Sequence, residues 1–356
     1  MSTTVHERPG VYSSYDASGI ITGGKGAKAI GVAARAAKGT PGAAVTLTGY
    51  AAGVAVFGED ASGEPGMSAI LKILFQNGAT EVTAVRVADS GTASDYTAAF
   101  QVLSGLENIQ ICVCDSGALA VQQALRDAVA AASGCRRERV AVVGGSGESV
   151  AQLVTHAAGL NSERVVLVGP DAIDSAGNTV PAVFAAAALA GAIAAGTDPA
   201  IPLNGTALYG LDGLDTAYTD NDIDTLVRGG VTPLESVSGV ISPVRSVTTR
   251  TTTGGAADAT WRELTTILIV DDVIPSIRKA LRSRFSRTKN TARNRSAIRS
   301  QVIVELEKKL AAEIIDGYGE VSAAADDEDP SVCRVTFSFA VAHGLNQIYL
   351  TAHITV

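Results

Sequence analysis

Between residues 109 and 195 short apolar runs alternate with longer amphipathic ones, and that rhythm constrains the fold more than anything else in the chain. Residues 109–114, 139–143 and 164–168 read as strands, and residues 118–133, 149–160 and 181–195 read as helices. Strands so short and so uniformly apolar are buried on both faces, which calls for a mainly parallel sheet covered by helices on each side. Upstream, residues 29–36, 45–48 and 81–88 read as strands and residues 54–57 as one more. Residues 67–77 form a helix closed by Gly78, and residues 95–103 a helix capped by Asp95. Hydrophobic residues make up 46% of the chain but aromatics only 4%, and 37 residues are glycine. Backbones must therefore pack closely, with few aromatic anchors.

The character changes after residue 200. Residues 204–224 are a loop rich in Gly, Asp and Tyr, 222–229 a short helix, and 237–249 β-like but limited by Pro243. After a polar turn at 251–258, residues 260–285 are compatible with a helix and turn strongly basic, and 299–315 form an amphipathic helix. Residues 321–341 read as a strand with Cys333, Val335, Phe337, Phe339 and Val341 on one face. Residues 343–345 connect it to a last strand, 346–356, in which Ile348, Leu350, Ala352, Ile354 and Val356 share a face. A terminal strand this apolar is an aggregation hazard unless it pairs, in its own sheet or in a neighbouring copy. The expected architecture is α/β and α+β. An extended arm (1–22) leads into an α/β domain with a mainly parallel sheet (23–200). An α+β C-terminal domain (201–345) and a C-terminal β-arm (346–356) follow.

Few residues point to chemistry. The run Gly144-Gly145-Ser146-Gly147-Glu148 lies between a strand and a helix, where a phosphate-binding loop would sit. It lacks the spacing of both dinucleotide and P-loop motifs, and Ser146 is not in a nucleophile elbow. It reads as a tight turn. The histidines at 6, 156, 343 and 353 are scattered, and Asp326-Asp327-Glu328-Asp329 lacks the alternation of a calcium loop. The four cysteines show no metal spacing and read as buried, reduced thiols, with Cys112 and Cys114 assigned to opposite faces of one strand. No acid, base and nucleophile form a catalytic set, so no catalytic residue, metal or cofactor is expected. Residues 175–197 carry no charge but are mostly alanine, which suits a buried helix better than a membrane span. The opening residues hold no apolar targeting segment.

One charge signal stands out. Nine of the 28 Lys and Arg fall within residues 278–299, with no acid among them, in a chain of formal charge −8. Such asymmetry implies an acidic partner. Nucleic acid is one candidate, but Phe285 is the segment's lone aromatic, which weakens a single-strand reading. An acidic protein surface is preferred.

Taken in order, several segments resemble the contractile-tail sheath family of phages and phage-derived bacteriocins. Pro9-Gly10-Val11-Tyr12 looks like that family's opening segment. Residues 181–198 resemble its small-residue helix before the C-terminal domain. Leu226-Val227-Arg228-Gly229-Gly230-Val231 and Thr248-Thr249-Arg250-Thr251 resemble the elements after that junction. The compactness of the chain is similar to that of sheaths from some Gram-positive phages and bacteriocins. The resemblance implies six copies in a ring around a tail tube, with rings stacked into a sleeve that shortens to drive the tube through a cell envelope. It implies no enzyme activity, no nucleic acid partner and no membrane insertion. The expected partners are other copies of the chain, an acidic tail tube protein, and baseplate and tail terminator proteins. The expected place is a virion tail or bacteriocin particle assembled in the bacterial host cytoplasm. Arg287, Lys289, Arg293, Arg295 and Arg299 are expected to face the tube. Pro9, Val11, Tyr12, Ile348, Leu350 and Ile354 are expected in inter-subunit arms. Two alternatives rest on the residues alone: an α/β nucleotide-binding enzyme using the Gly144 to Glu148 loop, and a nucleic-acid-binding protein using residues 278–299.

Overall fold

The computed structural model describes residues 28–61 and 63–346. β1 (Ala29–Ala34), β2 (Ala44–Leu47) and β3 (Val82–Arg86) come first, with α1 (Tyr50–Phe57) and α2 (Met67–Gln76) between the last two. α3 (Ala93–Gly105), β4 (Ile109–Cys114), α4 (Leu119–Gly134), β5 (Val140–Gly144), α5 (Val150–Leu160) and β6 (Val165–Gly169) follow as helix–strand units. β7 (Ala172–Ile173), β8 (Thr179–Val180), α6 (Val183–Ala195) and β9 (Gly213–Leu214) leave the main sheet. α7 (Asp220–Arg228) leads back to it, and β10 (Val231–Val237) and β11 (Val240–Pro243) complete it. The eight strands lie in the order β11-β10-β6-β5-β4-β1-β3-β2. The inner six run parallel, and the edges β2 and β11 run antiparallel to their neighbours.

Side chains alternate between two cores, as the two-residue period of a strand requires. Ile30, Val32, Ile111, Val113, Val140, Val142, Val166 and Val168 face a core shared with α2 and α6. Ala33, Val85, Ala141, Val143, Val165 and Leu167 face a second core under α3, α4 and α5. α6 is uncharged and buried around nearly its whole circumference, so its alanines let it lie close against the sheet. No helix among the described residues is long and apolar enough to cross a membrane.

β12 (Thr252–Thr253) and β13 (Ala256–Ala257) form a small hairpin before α8 (Leu264–Phe285) and α9 (Ala292–Ala311). β14 (Ile315–Tyr318), β15 (Ser322–Ala325), β16 (Cys333–Thr336) and β17 (Phe339–Val341) follow. β14 pairs with β17 and β15 with β16, both antiparallel, so the four make one long hairpin interrupted in the middle. There the Gly319 N–H still donates to the Ser338 carbonyl at 2.9 Å. The helices and this hairpin close a third core around Ile269, Val273, Val302, Leu306 and Ile315.

Several expectations need correction. Residues 54–57 lie in a helix, not a strand; Gly53 and Phe57, one helical turn apart, are its buried positions. The cap of α3 is Thr92, and Asp95 is its reciprocal partner three residues on, in a capping box. Cys112 and Cys114 share a core because residues two apart on a strand share a face. Burial pushes their thiols up to about 11 and about 12, so they are inert. Cys135, by contrast, is exposed and Cys333 half-buried. Residues 321–341 are three strand segments rather than one, with Asp326 to Asp329 in the connection between β15 and β16. The main sheet also does not stop at residue 200: β10 and β11 join it from beyond that boundary. The N-terminal arm and residues 347–356, with Pro9, Val11, Tyr12, Ile348, Leu350 and Ile354, lie outside the described residues.

Candidate assembly interface

The Gly144 loop is built for packing. A Cβ on Gly144 would lie 2.2 Å from the Ala182 carbonyl carbon, so only glycine lets β5 end against the start of α6. Two backbone donors at the loop are already taken. Asp171 accepts the Gly147 N–H at 2.8 Å on one oxygen and the Ala182 N–H at 2.8 Å on the other. Glu148 holds His156 through Nδ1 at 2.9 and 3.0 Å. Burial pushes the Asp171 carboxyl above its ordinary value, and Asp215 and Glu148 push the same way. A site with this many carboxylates repels phosphate. Ser146 is exposed and makes no side-chain hydrogen bond among the described residues. The acidic cluster is a self-capped turn, in which Asp326 accepts the N–H groups of Glu328 and Asp329 at 3.0 and 3.1 Å.

The basic segment forms the tip of a helical hairpin. α8 and α9 run antiparallel: Asp272 meets Lys309, and Arg284 bonds Gln301 nearer the turn. Ile269, Val273 and Ile277 of α8 pack with Val302 and Leu306 of α9, so the apolar stripes meet and the charges are left at the turn and on the outer faces. Thr291 caps α9 by accepting the Asn294 N–H at 3.3 Å. Of the nine bases, Lys279 and Arg282 are exposed along α8 and Arg284 bonds Gln301; the other six separate into two groups. Arg278 pairs with Glu138 at 2.8 Å. Arg295 donates to the Asn290 side chain at 3.1 Å, and Arg299 to the Val321 carbonyl at 2.6 Å. Arg287, Lys289 and Arg293 are exposed and make no ion pair among the described residues. Of the five bases expected on one outward face, these three stand free at the tip; Arg295 is half-buried and Arg299 is tied to the strand connection.

Sequence reasoning missed what lies beside the tip. The Asn290 amide donates to the carbonyls of Pro330 and Val332 at 2.8 and 2.9 Å, fastening the helical turn to the loop that holds Asp326 to Asp329. Basic and acidic groups are thus neighbours at one end of the molecule. Nothing in the local pattern of either segment announces the contact, because it joins residues forty apart. Among the described residues the long hairpin beneath is two strands wide, with backbone donors and acceptors along its edges.

Comparison with known proteins agrees with this architecture. The family model described as phage tail sheath protein central domain matches residues 90–249, and that described as phage tail sheath C-terminal domain matches residues 256–355. A tail sheath protein of Bacillus phage SP01 is 30% identical over 225 residues, and the match takes in 61% of this chain but only 38% of that protein's length. Among solved structures, the helical sheath of the anti-feeding prophage in its contracted state superimposes with a TM-score of 0.73 at 16% identity. It covers 98% of this chain and 99% of its own. The sheath tail protein of Listeria innocua gives a TM-score of 0.68 at 11% identity, covering 89% and 96%. The two family models together take in most of the sequence, both from one family and in the order of its domains: the chain belongs to the phage tail sheath family.

Proposed function

We propose that this chain is the structural subunit of a contractile tail sheath, built from six-membered rings stacked around a tail tube. The observation that carries the reading is the match of nearly the whole chain to a helical sheath of the same fold. The particle would be a phage tail or a headless relative, with a baseplate at one end and a terminator at the other, assembled in the bacterial host cytoplasm. No catalysis is involved; the work comes from an extended state that relaxes to a shorter and wider one.

Within the subunit, the α/β body would present the outer surface. The helical hairpin would turn its free bases, Arg287, Lys289 and Arg293, with Arg295 and Arg299 behind them, toward an acidic tube. The terminal arms would add as strands to the narrow hairpin sheet of neighbouring copies. Pro9, Val11 and Tyr12 would lie in one arm, and Ile348, Leu350 and Ile354 would fill pockets from the other. The division into arm, α/β domain, C-terminal domain and arm belongs to the same proposal. So does the absence of a nucleic acid partner. The basic tip has an acidic loop beside it, and its lone aromatic, Phe285, is already covered by Arg284 at 6.0 Å.

Electron microscopy of the purified protein tests the reading. Long hollow sleeves are expected, and in the presence of tube, extended sleeves around it. A monomer or small oligomer that binds a nucleotide or duplex DNA instead would overturn it.

A further inference from the structure

The two points at which the terminal arms leave the described body flank one short segment, residues 196–204, between the end of α6 and the edge of the sheet. At one side, Lys28 caps α6. Its N–H donates to the Ala194 carbonyl at 3.3 Å, and its ammonium to the Ile193 and Gly196 carbonyls at 3.3 and 3.1 Å. These are carbonyls that a helix end leaves without partners, and a cation there also complements the helix dipole. Asp198 and Asp272 face the same ammonium. At the other side, Asn204 donates to the Asn346 side chain at 2.8 Å and accepts the Ser246 N–H at 3.3 Å. Gly344 lies flat on Pro202, where an added Cβ would come within 2.7 Å of the ring.

Between these fastenings the segment is stiff. Pro199 and Pro202 fix two of its backbone angles. The Asp198 side chain accepts the Ala200 N–H at 2.8 Å. Ala200 packs on the C-terminal core and Leu203 on the core of the main sheet. Beyond it, Gly205 and Leu208 donate to Pro243 and Ile241 of β11 at 2.9 and 2.8 Å. The segment therefore touches both domains and both arm roots.

We propose that residues 196–204 act as a strap that couples the roots of the two arms, so that displacing one root loosens the other. The inference rests on the sheath reading for its purpose, since arms that join different neighbours would then be moved together. Its geometry stands apart from that reading, and the test uses the isolated subunit. Lys28 is the reporter: its backbone N–H donates to the Ala194 carbonyl, so its exchange with solvent deuterium is slow while the cap holds. Gly344→Ala drives a Cβ into Pro202 at the opposite root. The expected result is faster exchange at Lys28 with an unchanged thermal midpoint. Pro202→Ala removes the two nearest ring atoms, so the double variant Gly344→Ala with Pro202→Ala is expected to restore slow exchange. Exchange at Lys28 that does not respond to Gly344→Ala, or that the second substitution fails to reverse, overturns the coupling. Sleeve formation scored on the same variants answers separately. If the unaltered protein makes no sleeves the sheath reading fails, whereas sleeves from Gly344→Ala identical to those of the unaltered protein count against the strap alone.

Discussion

Arg164 reaches Asp271 through two guanidinium nitrogens, at 2.8 and 3.0 Å, where α8 crosses the starting ends of β5 and β6. Glu138 and Arg278 pair beside them, and Lys309 holds Asp272 on the same helix. Both members of the Arg164–Asp271 pair are largely buried. Removing one partner leaves the other charge without compensation, and Arg164→Ala is expected to cost about 3–5 kcal/mol near neutral pH. The sign of its pH dependence follows from the carboxyl. Burial outweighs the help from Arg164 and pushes Asp271 above its ordinary value. The native protein therefore binds this proton at higher pH than the unfolded chain. The contribution of Asp271 is full below the ordinary carboxylate value and is lost as pH rises through the native one. Without Arg164 the carboxyl moves further up, so the cost of the substitution should shrink as pH falls toward about 4. Chemical denaturation at the two pH values measures this; an equal loss at both would mean that Asp271 is not the group left unpaired.

At the scale of elements, the helical tip offers the sharpest test of function. Arg287→Glu, Lys289→Glu and Arg293→Glu together change only exposed side chains with no ion pair among the described residues. The subunit should fold and melt as before. Exposed pairs are worth about 0–1 kcal/mol each, but repetition around a ring sums them, while each stays weak enough to release. Extended sleeves around the tube should disappear and empty or contracted ones remain; unchanged extended particles would mean that this tip does not grip the tube. Raised salt should act in the same direction, since screening near 0.15 M has a length of about 8 Å. The basic run was visible in the sequence, but which of its members stand free was not, because Arg278 and Arg299 are claimed by Glu138 and Val321 from elsewhere in the chain and Arg295 by Asn290 across the turn. Strands were legible where both faces are apolar, as in β4, β5 and β6. β10 was missed because it carries Pro233. The structure accommodates that proline where the ladder to β6 ends, one residue before the ladder to β11 begins at Leu234. The 315–341 hairpin was half legible: alternation from Cys333 to Val341 is real, with those positions half-buried and their neighbours exposed. Ser322–Ala325 is too small and too exposed to signal a strand alone.

For the molecule as a whole, the three cores among the described residues draw their side chains from between Ala29 and Val341. The body is expected to fold without its arms, which leaves the alternation at 346–356 to serve contacts with a neighbouring copy. Ile348, Leu350 and Ile354 each gain about 1.5–3 kcal/mol when fully buried, and an added strand also satisfies backbone groups along the edge that receives it. A neighbouring copy would supply such an edge in the hairpin of its own C-terminal domain, which is two strands wide among the described residues. Deleting residues 1–19, or those after Asn346, is therefore expected to leave a soluble subunit with the same thermal midpoint that forms no sleeves. Circular dichroism melting and electron microscopy on the same preparations read the two properties separately. A truncated protein that still assembles normal sleeves would show that its neighbours are joined through the body and not through the arms. One that unfolds would show that an arm completes its own subunit, in which case exchange between copies is not what the alternation serves.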